Sequence, residues 1–189
     1  MNEPGTGESA MRVPGSSESD AHRAEAILAL GANLGDPAAT LAAAVDAIAA
    51  DAGLTLLAAS PVAVTAPVGG PPGQPHYRNM VVRVATDLDP DELLAACHAI
   101  EARFGRERLV RWGPRTLDVD IITVVTAAGE VHRADPDLTL PHASAAGRAF
   151  VLAPWSWLEP DARLDGVPVA DLLARAADRD GIRRAEVAS

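Results

Sequence analysis

Two aspartates separated by one residue, Asp118 and Asp120, are the first candidates for chemistry in this 189-residue chain. They lie in the segment RTLDVDIITVV, whose alternating and then wholly apolar pattern predicts a β-strand. Side chains two positions apart on a strand point to the same face, with Cα atoms roughly 6.5–7 Å apart. Paired carboxylates on a rigid element suit Mg²⁺, which takes hard oxygen ligands together with phosphate oxygens. The alternative is that both acids face solvent on an amphipathic strand and bind nothing.

A group of arginines precedes these acids in a chain whose net charge is −10 and whose 16 basic residues are all arginine. Guanidinium groups bind phosphate oxygens directly, so arginines beside paired acids predict a polyphosphate site. The absence of lysine excludes a P-loop and a Schiff-base enzyme. The alternative is a solvated loop whose arginines pair with surface acids. Five arginines fall within thirteen positions: Arg103, Arg106, Arg108, Arg111 and Arg115.

Aromatic side chains are scarce, with three Trp, one Tyr and two Phe, yet three of them lie beside candidate site segments. Tyr77 is in a Pro/Gly-rich loop, Trp112 is in the arginine segment, and Phe150 follows Arg148. Two aromatic rings could hold a flat heterocycle between them by offset stacking. The alternative is that Tyr77 and Phe150 simply pack in the core. His142 and Arg148 are weak indicators when each is taken alone.

The elements that must position these residues follow the order βαββαβ, with a C-terminal extension. This order predicts an α+β, ferredoxin-like sandwich with the helices on one face of a mainly antiparallel sheet. The N-terminal residues 1–24 are rich in Gly, Pro, Ser and acids and are predicted to form a disordered tail, leaving 25–189 as a single domain. The predicted strands are 26–30, 54–64 interrupted by Pro61, 80–85 and 115–125; the predicted helices are 37–51, 88–105 and 168–179; the main loops are 65–79 and 106–114.

Composition excludes several classes of protein. An acidic chain argues against a general nucleic-acid binder and against a protein that binds anionic membranes. The single cysteine, Cys97, excludes a disulfide scaffold. No apolar run approaches 18 residues and no secretory signal is indicated. We therefore expect a cytoplasmic protein that binds neither nucleic acid nor membranes. We also expect a monomer, although composition does not determine the oligomeric state.

Four segments together resemble the folate-pathway family of hydroxymethyldihydropterin pyrophosphokinases: ALGANLGDP, GQPHYRN, RWGPRTLDVDI and LPHASAAGRAFVLAP. They occur in the family's order over about residues 26–160, and RWGPRTLDVDI is the most specific of them. The resemblance implies transfer of pyrophosphate from the co-substrate ATP to the hydroxymethyl oxygen of 6-hydroxymethyl-7,8-dihydropterin, with release of AMP. It also implies two Mg²⁺ ions bound by Asp118 and Asp120. Asp120 is also placed to accept the hydroxymethyl proton, a role that the sequence leaves open.

The same resemblance assigns residues to the nucleotide and to the pterin. Arg106 and Arg115 join the two aspartates as catalytic residues, because they are expected to hold triphosphate oxygens. The further ATP contacts it implies are Arg108, Arg111, His142 and Arg148 for the phosphates and Leu94, His98, Glu101, Ile121, Leu138 and Thr139 for adenine. The pterin contacts it implies are Tyr77 and Phe150 on the two ring faces, Asn79 on the ring edge, Val68 and Gly69 in the first loop, and Trp112 over the closed site.

The chain departs from the family pattern at three points. In Gly31-Ala32-Asn33 an alanine stands where a serine is more usual. Ala143 follows His142 where some relatives carry a Tyr that helps to bind phosphate, and the arginine segment is about one residue shorter than in longer relatives. Two rival functions stay open at this point. One is a non-catalytic ferredoxin-like binding module, and the other is a phosphohydrolase that uses the same two aspartates without a pterin acceptor.

Overall fold

The computed structural model describes residues 24–66, 73, 75–105 and 116–185. Helices and strands alternate through the first part of the chain, and short hairpins follow. The helices are α1 (Pro37–Ala49), α2 (Pro90–Arg103), α3 (Ala149–Leu158) and α4 (Val169–Arg175). The strands are β1 (Ala24–Ala32), β2 (Leu54–Ala59), β3 (Ala63–Thr65), β4 (Tyr77–Thr86), β5 (Asp118–Thr126), β6 (Gly129–Glu130), β7 (Arg133–Ala134), β8 (Thr139–Leu140), β9 (Arg163–Leu164), β10 (Val167–Pro168) and β11 (Arg183–Arg184).

The main sheet is antiparallel and, within the described residues, has seven strands in the order β11-β3-β4-β1-β5-β6, with β2 also paired to β4. Helices packed on an antiparallel sheet confirm the predicted α+β class. The predicted interruption of the second strand is also confirmed, because β2 and β3 pair with successive parts of β4 on either side of Pro61. At this break the hydroxyl oxygen of Ser60 accepts a hydrogen bond from Val81 N at 3.0 Å.

Helices cover both faces of the sheet. On one face α1 and α2 pack against Leu28 and Leu30, as the sequence predicted. On the other face α3 packs against Ile27, Val81 and Ile122, so the prediction that helices lie on one face only was wrong. The reason is that α3 is apolar on nearly every side and therefore shows no amphipathic period in the sequence.

The starts of α1 and α2 are fixed by the caps that the sequence predicted. Asp36 accepts hydrogen bonds from Ala38 N and Ala39 N at the start of α1. Asp89 caps α2 and forms a reciprocal capping box with Glu92. These side chains satisfy backbone N–H groups that have no partner within the helix.

Several element boundaries differ from the predictions. Strand β4 begins at Tyr77 rather than at residue 80, so Tyr77 and Asn79 lie on a strand and not in a loop. Strand β1 begins at Ala24, one residue inside the predicted tail, and the rest of that tail lies outside the described residues. Helix α4 is shorter than predicted. Among the described helices, none is long and apolar enough to cross a membrane.

Candidate active site

Asp118 and Asp120 lie on one face of β5. Each is aligned with one residue of β1 and one residue of β4, so that two rows of residues cross these three strands. In the first row Gly31 of β1 stands between Asp118 and Asn79, and in the second Ala29 stands between Asp120 and Val81. Residues opposite one another on neighbouring strands share a face. Ala29 and Val81 pack on the α3 side of the sheet. Both aspartates therefore point to the face that carries α3, which confirms that the two acids lie on the same side.

The start of α3 brings Arg148 and Phe150 to these acids. Arg148 Nη1 lies 4.0 Å from Asp120 Oδ2, and the two side chains are 34% and 40% exposed. The Arg148 guanidinium also lies 5.6 Å from the centroid of the Phe150 ring. The first N–H group of α3, at Ala149, donates to Asp178 Oδ1 at 3.1 Å. The start of α3 thus places the Phe150 ring, the Arg148 guanidinium and the Asp120 carboxylate close together. The hydrogen bond to Asp178 holds this end of the helix.

Asn79 lies in the same row as Asp118, on the far side of Gly31, and has a fixed orientation. It is 7% exposed, and its Nδ2 donates to Thr65 Oγ1 at 2.9 Å. Its Oδ1 lies so close to Gly31 that a Cβ atom added there would be 2.8 Å away. Gly31 therefore provides the space that the amide occupies. Tyr77, two residues earlier on the same strand, shares this face and is half-buried.

Sequence reasoning missed Gly31 and Thr65 as residues that position Asn79. A glycine inside a strand is a signal for a close approach of another group, but Gly31 follows the predicted strand 26–30 and lies within β1 only in the structure. Nothing in the sequence spacing indicates Thr65, because its contact with Asn79 depends on the register of β3 against β4.

Several acidic groups are concentrated behind this face. Burial raises the pKa of the Cys97 thiol to about 12, and the charges of Glu101 and Asp120 add to this effect. Two carboxylates on one strand face are hard oxygen donors, so the donor set of Asp118 and Asp120 fits Mg²⁺.

Glu101 makes a contact that the sequence did not indicate. It is 2% exposed, and its Oε1 accepts a hydrogen bond from Val119 N at 2.8 Å. Val119 is the residue between the two aspartates. The predicted contact of Glu101 with adenine remains a prediction, but its carboxylate is held against β5.

The other residues predicted to surround adenine lie on the opposite side of β5 from the aspartates. Ile121 and Leu138 are buried in the core that α1 and α2 cover, and Leu94 packs against that core. His98 and Thr139 are exposed. An adenine position against these residues stays a prediction.

The β7–β8 hairpin carries Leu138 and Thr139 and is held to α2 by charge. Arg133 binds Asp91 of α2 at 2.9 Å and also contacts Asp135. Leu138 N donates to Asp135 Oδ1 at 2.9 Å, and this bond, followed by Arg133, lowers the pKa of the Asp135 carboxyl. The hairpin is thus fixed relative to the start of α2.

His142 lies along the outer edge of β5, where its backbone N donates to Ile122 O at 2.8 Å. Its Nδ1 accepts from Ser144 N at 3.2 Å. The remaining predicted site residues lie outside the described part of the chain: Val68, Gly69, Arg106, Arg108, Arg111, Trp112 and Arg115.

A second group of metal-ligating types occurs at the opposite end of β5. Ligand atoms of Glu130, His132 and Asp165 lie within 4.8 Å of one another. His132 and Asp165 are exposed, and Glu130 already accepts hydrogen bonds from Thr123 Oγ1 and Asp165 N. These contacts account for the cluster without an ion.

Comparison with known proteins gives one consistent result. A family model described as 7,8-dihydro-6-hydroxymethylpterin-pyrophosphokinase (HPPK) matches residues 27–160. The 2-amino-4-hydroxy-6-hydroxymethyldihydropteridine pyrophosphokinase of Methylorubrum extorquens is 41% identical over 161 residues, covering 85% of this chain and 98% of the relative. The protein of the same name from Pseudomonas aeruginosa is 44% identical over 158 residues, covering 83% and 94%.

Solved structures show the same fold at low identity. The crystal structure of wild-type Plasmodium falciparum HPPK-DHPS with pteroate has a TM-score of 0.62 and 12% identity, covering 86% of this chain and 46% of that chain. The wild-type structure with STZ-DHP gives 0.61 and 13%, covering 84% and 44%. The present chain therefore spans about half the length of these solved chains.

Proposed function

Because the chain belongs to the 7,8-dihydro-6-hydroxymethylpterin-pyrophosphokinase family, we propose that it transfers pyrophosphate from ATP to the hydroxymethyl oxygen of 6-hydroxymethyl-7,8-dihydropterin and releases AMP. The chain is a pyrophosphokinase, a diphosphotransferase of folate biosynthesis. The observation that carries the proposal is the position of Asp118 and Asp120 on one sheet face, with Asn79 in the same row as Asp118 and Arg148 beside Asp120.

We propose that the two aspartates hold two Mg²⁺ ions. When bound, these ions neutralise phosphate charge and polarise the oxygens that react. The role of the chain is to keep both carboxylates on one face of a strand whose alternate residues, Val119 and Ile121, are anchored in the core. Asp120 also lies where it could accept the hydroxymethyl proton, and this role stays open.

The pterin is proposed to bind between Tyr77 and Phe150, with Asn79 on its edge. An amide offers one donor and one acceptor group, which suits the mixed polarity of a pterin edge. The bond from Nδ2 to Thr65 and the tight fit over Gly31 hold the amide in one orientation before the substrate arrives. Val68, Gly69 and Trp112 are the further pterin contacts that we propose.

The triphosphate is proposed to bind to arginines around the aspartates. Arg106 and Arg115 are the proposed catalytic arginines, and Arg148 is supported by its position 4.0 Å from Asp120. A guanidinium so placed can move from the carboxylate to a phosphate oxygen and remain near the reacting atoms. Arg108, Arg111 and His142 complete the proposed phosphate contacts. Adenine is proposed to lie near Leu94, His98, Glu101, Ile121, Leu138 and Thr139.

The finer architecture belongs to the same proposal. We propose that β1-α1-β2/β3-β4-α2-β5 forms a ferredoxin-like unit, and the central order β2/β3-β4-β1-β5 supports it. Helix α3 then adds a second layer that carries Arg148 and Phe150. A single domain from residue 25 onward, a monomeric state and a cytoplasmic location remain predictions.

The test is AMP formation with and without the pterin acceptor. We expect AMP and pterin diphosphate to form together, in equal amounts, and only when Mg²⁺, ATP and 6-hydroxymethyl-7,8-dihydropterin are all present. Asp118→Asn is expected to abolish the reaction, whereas the matched control Asp161→Asn, at an exposed turn, should leave it unchanged. AMP formation without the acceptor would support the phosphohydrolase instead. Failure to form AMP under any condition would favour a non-catalytic binding module.

A further inference from the structure

The buried carboxylate of Glu101, on α2, binds the backbone of β5, the strand that carries Asp118 and Asp120. Glu101 belongs to the last turn of α2, is 2% exposed, and accepts the backbone N–H of Val119 at 2.8 Å. Placing a carboxylate in the core is costly unless it is well bound. The chain nevertheless has an acid here, where an apolar side chain would fit the buried face of the helix.

The hydrogen bonds along the edge of β5 that faces away from β1 show why an acid is needed here. Farther along the strand, backbone groups of the following segment occupy the edge: His142 N donates to Ile122 O at 2.8 Å, and Val131 N donates to Val124 O at 2.8 Å. Between the two aspartates, the backbone N–H of Val119 instead donates to a side chain, the carboxylate of Glu101. An unsatisfied N–H at this position would loosen the strand between the two metal-binding residues.

We propose that Glu101 is a positioning residue for the metal site: its hydrogen bond to Val119 N fixes the backbone of β5 so that Asp118 and Asp120 converge on the same side. This inference rests on the proposed function. It gives Glu101 a role through the strand that does not depend on its proposed contact with adenine. Groups that orient metal ligands from the next layer typically change metal affinity or activity by about 10–100-fold when they are removed.

The experiment compares two variants of Glu101 with a control of reduced stability. Glu101→Gln keeps an oxygen acceptor for Val119 N, and Glu101→Leu removes it. Ile48→Ala is the control, because Ile48 is fully buried on α1, which packs on β1, β2 and β4. The first measurement is amide hydrogen exchange of Val119 in the protein alone. The second is Mn²⁺ affinity by electron paramagnetic resonance, with either a non-hydrolysable ATP analogue or inorganic tripolyphosphate.

We expect Glu101→Leu to speed exchange at Val119 at least about tenfold and to weaken Mn²⁺ binding about 10–100-fold. The loss should be the same with the ATP analogue and with tripolyphosphate, because tripolyphosphate has no adenine. Glu101→Gln should restore both measurements to within about threefold of the parent, since its amide oxygen can replace the carboxylate oxygen. Ile48→Ala should change neither measurement beyond that range.

Three results would overturn the inference. Val119 could stay protected in Glu101→Leu, the Gln variant could be as impaired as the Leu variant, or the Mn²⁺ effect could occur with the ATP analogue alone. The last result would assign Glu101 to adenine. If the parent protein makes no AMP, the proposed function fails, while the exchange of Val119 still tests the hydrogen bond itself.

Discussion

Replacing Gly31 by alanine should weaken pterin binding without touching the pterin directly. The added Cβ would lie 2.8 Å from Asn79 Oδ1, about 0.5 Å inside the shortest usual carbon–oxygen contact of about 3.3 Å. Asn79 cannot move away freely, because its Nδ2 is bound to Thr65 Oγ1 at 2.9 Å. The amide must therefore give up this bond or tilt away from the substrate.

The expected magnitude follows from the hydrogen bonds that the amide would lose. A net loss of one or two neutral bonds corresponds to about 1–3 kcal/mol, or roughly 5- to 150-fold in pterin affinity. The affinity for the ATP analogue should change by less than about twofold, because Asn79 has no proposed contact with the nucleotide. Titration calorimetry with 6-hydroxymethylpterin and with the ATP analogue measures both values.

Two controls test whether the effect of Gly31→Ala comes from the contact with Asn79. Gly181→Ala adds the same methyl group at a glycine with no atom within 4 Å of the new Cβ, and it should change nothing. In an Asn79→Ala background, Gly31→Ala should cost little more, because the group that it displaces is already gone. Unchanged pterin affinity in Gly31→Ala, or full additivity of the two substitutions, would refute the proposed role of Asn79.

Three further predictions concern the acids, the helix start and the buried thiol. Asp120→Asn should lower kcat by at least about 10²-fold at saturating Mg²⁺, because it removes one charged ligand; a smaller loss in steady-state kinetics would count against that role. Arg148→Gln should lower kcat about 10²–10³-fold with little change in pterin KM, and an effect on pterin KM alone would contradict its placement on phosphate. The raised pKa of Cys97 means that the unfolded thiol ionises from about pH 9 while the folded thiol stays protonated until about pH 12. Stability from this group is therefore present below about pH 9 and lost as the pH rises toward 12, so urea unfolding of Cys97→Ala should depend less on pH above 9 than that of the parent.

The elements that could be predicted from the sequence are those with local signals. Asp36 and Asp89 act at short range on the next few backbone N–H groups, so the starts of α1 and α2 are visible in the sequence. The shared face of Asp118 and Asp120 is equally local, because it follows from strand periodicity.

The sequence could not predict features that depend on contacts between residues far apart in the chain. Glu101 meets Val119 across 18 positions of sequence, and Asn79 meets Thr65 across 14. The start of β4 at Tyr77 is set by pairing with Thr65, which a Pro/Gly-rich composition obscures. Helix α3 was not predicted, because a helix that is buried on almost all sides has no amphipathic pattern in its sequence.

The position of bound divalent cations would show whether Asp118 and Asp120 form a metal site. A crystal structure with Mn²⁺, the non-hydrolysable ATP analogue and 6-hydroxymethylpterin would locate the ions by their anomalous signal. We expect two ions ligated by Asp118 and Asp120, with the pterin edge on Asn79 and its ring against Phe150. Ions bound elsewhere, such as between Glu130 and Asp165, with both β5 aspartates facing water, would contradict this expectation.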